Sequence, residues 1–113
     1  MNNQRAGWLK AMMLAAGLGS MSVSAAEDVF LIDVRTAQEF SEGHLVGAIN
    51  IEHTEIAARI GGVTLDKDAR IELYCRRGVR AETAQRALND AGYKNVANLG
   101  GLEALKKTRP ATP

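Results

Sequence analysis

The spacing of apolar residues changes several times along the chain, and each change marks an element. VFLI, Val29 to Ile32, is an unbroken apolar, β-rich run, as expected for a strand covered on both faces. It ends in Asp33, Val34 and Arg35. Thr36 can then cap a short helix through AQEFSE, with Glu39 three residues on completing a capping box and Gly43 as the stop. VGAINI, Val46 to Ile51, reads as a second short strand. Between His53 and Ile60, the residues Ile56, Ala57 and Ile60 share a helical face that Gly61 and Gly62 end. After the polar turn TLDKDA, the run IELY, Ile71 to Tyr74, is a third strand.

From Arg80 onward the period is helical again: Ala84, Ala87, Leu88 and Ala91 recur on one face, and Gly92 stands where a helix C-cap would. Val96 to Leu99 is a fourth strand, and GGLEAL a last helical turn. The tail KKTRPATP has two prolines and no apolar periodicity, so residues 106–113 are expected to fray as a flexible tail. Strands alternating with short helices predict an α/β fold: a small parallel sheet of about four to five strands flanked by short helices. Ligands of such sheets bind at the carboxyl ends of strands. Two strand ends qualify, one with Asp33 and Arg35, the other with Cys75.

Residues 1–26 have a different pattern. Arg5 and Lys10 form a basic start, residues 11–21 an uncharged, mostly apolar run, and SVSAA puts Ser24 and Ala26 at the positions a signal peptidase inspects. This reads as a signal peptide cut near Ala26. Eleven residues fall well short of the ~20 that a membrane-spanning helix needs. The expected product is a single exported, periplasmic domain over residues 27–113, free of the membrane once the signal is removed. Both charges of the leader are basic, so the remainder carries 12 basic and 13 acidic residues. A net charge this close to zero points to no nucleic-acid partner.

A domain this small would gain from disulfides, yet the chain has one cysteine, which cannot close a bridge within itself. Cys75 is therefore a buried bystander, an intermolecular linker or a thiol kept for its reactivity. Its place in LYCRRGVRAETAQ favours the third. A thiolate is favoured by nearby cations and by a helix N-terminus, and Cys75 stands between a strand and a helix among Arg76, Arg77 and Arg80. The backbone N–H groups of residues 76–80 can curl into an anion-binding cup, Gly78 can take backbone angles closed to other residues, and Arg80 can present a planar fork to an oxyanion. His44 and His53 lack metal-ligand spacing with Cys75, and there is no CxxC, P-loop or dinucleotide pattern. The expected chemistry needs neither metal nor cofactor.

CRRGVR resembles the CxxGxR active-site loop of the rhodanese-like sulfurtransferases. LIDVR resembles that family's first strand and its DVR, EGHLVGAINI its GHIPGAINI segment, and AGYKNVANLGGLEAL its C-terminal glycine-pair signature. The four segments stand in the family's order across most of residues 29–105, and the whole most resembles the exported, single-domain, phage-shock-protein-E type. The resemblance implies that Cys75 takes a sulfane sulfur from thiosulfate or a similar anionic donor and passes it, as a persulfide, to cyanide or a thiol. It implies that Arg76, Arg77, Gly78, Val79 and Arg80 form the substrate-binding loop, with no cofactor; a monomer is expected. Val46 replaces a frequent proline, Leu105 a common tryptophan and Ala81 a frequent serine after the loop.

Asp33 and Arg35 are candidates for a supporting role beside the site; the plainer alternative is a turn or cap. His44 reads as a structural residue, and Arg76 and Arg77 are equally readable as solvated loop charges. Two other functions compete. A cysteine phosphatase also uses a thiolate in a cup ending in arginine, but only four residues separate Cys75 from Arg80, one fewer than in that signature. A non-catalytic sulfur carrier or thiol stress sensor would use the same loop without turnover.

Overall fold

Residues 28–113 are described by a computed structural model, so the leader read at residues 1–26 lies outside the described residues. Strands and short helices alternate: β1 (Val29–Asp33), α1 (Ala37–Ser41), β2 (Ile49–Asn50), α2 (Ile56–Arg59), β3 (Arg70–Cys75), α3 (Val79–Asp90), β4 (Val96–Gly101) and α4 (Leu102–Leu105). A 3-10 turn, Ile60–Gly62, extends α2. The sheet has four parallel strands in the order β2-β1-β3-β4, which is the α/β architecture expected. Because every pairing is parallel, the strands all end at one edge, and Asp33, Asn50, Cys75 and Gly101 gather there.

Alternation along β3 divides the interior between the two faces of the sheet. Ile71, Leu73 and Cys75 join Ile32, Val34, Ala81, Ala84 and Leu88 in the larger cluster, under α2 and α3. Tyr74 points the other way, to Leu45 and Leu102. Each large apolar side chain so enclosed contributes about 1.5–3 kcal/mol. Period two on the strand therefore decides that the thiol faces α3.

Local signals place the helix ends. In α1, the Thr36 side chain accepts from the Glu39 N–H while Glu39 accepts from the Thr36 N–H, both halves of the capping box. At the end of α3, Gly92 takes φ +101°, Gly92 N–H donates to Asn89 O and Tyr93 N–H to Leu88 O. This is the paired bonding of a glycine-terminated helix.

Three segments differ from expectation. The second strand is only Ile49–Asn50, because Gly47 at φ +88° and a turn from Leu45 O to Ala48 N–H bend the chain before it. The helix expected over residues 53–60 keeps one α-turn, Ile56–Arg59, with no side chain capping its start. The tail 106–113, expected to fray, is tied down instead. Val46 N–H donates to Pro110 O at 3.0 Å, Thr112 N–H to His44 O at 2.8 Å, and Leu45 bridges Ala111 antiparallel. Proline lacks an N–H, but Pro110 enters this short ladder through its carbonyl. Among the described residues no helix is long and apolar enough to cross a membrane.

Candidate active site

Cys75 is the last residue of β3, 1% exposed, and the chain turns sharply after it. Gly78 makes that turn at φ +104°, a left-handed angle that would strain other residues, and is the N-cap of α3. Its N–H donates to Cys75 Sγ at 2.9 Å. Of the loop amides, Gly78 is the one bonded to sulfur among the described residues. The twelve-residue α3 begins at once, at Val79, so its positive end lies beside the thiol.

Outside the sulfur is a cavity of about 320 Å³ lined by Cys75, Arg76, Arg77, Val79 and Arg80. Arg76, Arg77 and Val79 are exposed, and Arg77 makes no ion pair among the described residues. Thus the structure brings all five sequence-predicted loop residues together around Cys75.

Arg80 departs from the expected open fork. Its two terminal nitrogens reach Glu39 Oε1 at 2.8 Å and Oε2 at 3.1 Å, so its guanidinium is held by a carboxylate of α1. Arg76 stands 3.9 Å from the same carboxylate. The Arg80 bonds, helped by the Thr36 amide, pull the Glu39 carboxyl down to about 2 against an opposing effect of burial. Glu39 in turn raises Arg80 above its ordinary value. Sequence reading found Glu39 only as a helix cap. Its second role joins positions 41 apart, for which the linear pattern carries no signal.

Asp33 and Arg35 bind each other rather than the cavity. Asp33 is fully buried and Arg35 is 6% exposed. Arg35 Nε and Nη2 donate to the carboxylate at 2.7–3.1 Å, its backbone N–H adds a bond at 2.9 Å, and Nη2 also reaches Gly43 O. Burial alone would lower the guanidinium, but Asp33 holds it above its ordinary value. Asn50 Nδ2 closes the knot by donating to the carbonyls of both residues. This is a clasp between β1, β2 and the start of the next loop. His44 is similarly engaged: it stacks on Phe40 with centroids 3.6 Å apart, and its Nδ1 is 2.8 Å from Phe40 O.

The end of β4 completes the site. A Cβ at Gly101 would collide with Arg76 O, so glycine is needed for the loop to lie against the strand. Asn98 Nδ2 donates to Gly78 O at 2.9 Å. The glycine pair was visible in the sequence, whereas the Asn98 contact was not. Together these residues can lower the energy of an anion on sulfur and draw a small anionic reactant to it.

The Rhodanese-like domain family profile matches residues 6–108. The chain is 36% identical over 96 residues to Thiosulfate sulfurtransferase PspE of Escherichia coli K12, covering 85% of this chain and 90% of that protein. It is 34% identical over 82 residues to a sulfurtransferase of Allochromatium vinosum, covering 73% and 75%. Among solved structures, a rhodanese with anions from E. coli superposes with a TM-score of 0.71 at 33% identity, over 75% of this chain and 98% of that one.

Proposed function

Because the chain belongs to the rhodanese-like domain family, we propose that it is a thiosulfate sulfurtransferase in which Cys75 is the nucleophile that carries the sulfur. The observation that carries this reading is the thiol itself, at a strand end, bonded by the Gly78 N–H at 2.9 Å and opening on an arginine-lined cavity.

In the first half-reaction the Cys75 thiolate attacks the outer sulfur of thiosulfate. A new S–S bond forms, the S–S bond of thiosulfate breaks, and its electron pair leaves on sulfite. The persulfide anion that remains has its charge on the sulfur beyond Sγ, where the loop amides and the start of α3 stabilise it. In the second half-reaction cyanide or a thiolate attacks that outer sulfur, and the S–S pair returns to Cys75 as thiolate. Neither half needs a cofactor. Arg76 and Arg77 draw the anionic donor in, while Arg80, already neutralised by Glu39, fixes the loop to α1. Val79 lines the approach.

The reading extends to location. The basic start, apolar run and small residues before Glu27 support export of the domain from residue 27 into the periplasm. The family match begins at residue 6, inside that segment, so the mass of the exported protein decides where the domain starts.

Thiocyanate production from thiosulfate and cyanide tests the function. Many turnovers per protein chain are expected in the wild type and none in Cys75→Ser. Loading of a single sulfur without turnover would favour a carrier instead. Hydrolysis of an aryl phosphate that disappears in Cys75→Ser would favour the phosphatase.

A further inference from the structure

Asn98 marks the point where β4 leaves regular pairing. It is opposite Leu73, and beyond it three steps along β4, to Gly101, match only two along β3, to Cys75. The extra residue is a bulge, a device that re-aims whatever lies beside it. At this bulge both ends of the Asn98 amide are used. Oδ1 accepts from the Gly100 N–H at 2.8 Å, and Nδ2 donates to the Gly78 carbonyl at 2.9 Å. The first bond is local and holds Gly100 at φ +96°. The second crosses to the thiol loop from a residue 20 positions away.

Gly78 is also the residue whose N–H meets Cys75 Sγ. With no side chain, and at a left-handed angle, its orientation is set by its backbone partners alone. Those on its carbonyl are the Glu82 N–H, at 3.0 Å, and Asn98 Nδ2. The Glu82 bond belongs to the first turn of α3 and would tolerate rocking of that turn. The Asn98 bond ties Gly78 to the sheet, the same rigid body that carries Cys75. We propose that Asn98 is a positioning residue for the sulfur site: by holding the Gly78 carbonyl against β4 it keeps the Gly78 N–H aimed at sulfur and so stabilises an anion there. For the thiolate this stands on geometry alone; for the persulfide it rests on the sulfurtransferase reading.

The test uses the full chain with Asn98→Ala and with Asn98→Leu, which is uncharged and keeps the branching of asparagine. Three quantities are measured: the rate of Cys75 alkylation by iodoacetamide against pH, steady-state kinetics with thiosulfate and cyanide, and the melting curve. In both variants the titration midpoint of the thiol is expected to rise by about one unit. The kcat should fall about tenfold while the thiosulfate KM stays within about twofold. A purely structural asparagine would lower the melting temperature and leave the midpoint of the folded protein in place. If either folded variant titrates with the wild-type midpoint, the proposal is overturned. If the wild type takes no sulfur from thiosulfate, the sulfurtransferase reading fails instead, and the alkylation curves still decide the role of Asn98.

Discussion

Asp33 and Cys75 end neighbouring strands at the same edge of the sheet, both are buried, and both stand beside arginines. At Asp33 the polar groups close on one another. Five hydrogen bonds tie Asp33 and Arg35 to each other and to Gly43, and Asn50 takes the nearby carbonyls. At Cys75 one amide reaches the sulfur and the rest of the loop borders an open cavity. The difference separates scaffold from chemistry better than residue type does. A buried carboxylate with both oxygens bonded inside the protein has little left to offer a ligand, whereas a polarised sulfur facing a cavity does.

Breaking the clasp should cost the most stability. Asp33→Ala strands Arg35, a buried cation with one carbonyl partner left, and is expected to destabilise by about 3–5 kcal/mol in urea unfolding. Cys75→Ser should stay within about 1 kcal/mol of the wild type. A small loss for Asp33→Ala, with activity abolished in the folded protein, would move Asp33 from scaffold to chemistry.

Glu39 stands between the two regions, since it caps α1 and holds Arg80. Its folded value, about 2, lies below its ordinary 4.5, so its contribution is fully present above about pH 5 and is lost as pH falls from 4.5 towards 2. Unfolding of the wild type and of Glu39→Gln should therefore differ by about 1 kcal/mol at neutral pH, as for a partly solvated pair. The gap should close through that acid window. A gap independent of pH would show that the ion pair is not its source.

The smallest effect is expected at Arg77, exposed at the cavity rim. Arg77→Ala should raise the thiosulfate KM about two- to threefold at low salt, leave kcat unchanged, and lose its effect as added salt screens the site. An effect on kcat that survives high salt would mean that Arg77 touches the reacting atoms.

What could be read without the structure was mostly local. The Thr36–Glu39 box, the Gly92 cap and the strand–Cys75–Gly78–helix junction each lie within a few residues, so their signals are contiguous. The clasp was visible as residues but not as a pair turned inward, because burial depends on β2 and Gly43. The Glu39–Arg80 and Asn98–Gly78 contacts join segments 41 and 20 positions apart, the first by two side chains and the second by one, which leave no periodic trace. The ordered tail escaped for a related reason: its ladder to His44 and Val46 is made by backbone groups, joined by the Thr112 hydroxyl against His44, and such contacts 64 to 68 positions apart leave no periodic trace.

The central claim is that Cys75 carries sulfur, and the intact mass of the purified protein after thiosulfate treatment tests it most directly. The expected result is a gain of one sulfur atom, removed by cyanide or a reductant and absent in Cys75→Ser. An unchanged mass in protein whose thiol is free and reduced, or the same gain in Cys75→Ser, would contradict it.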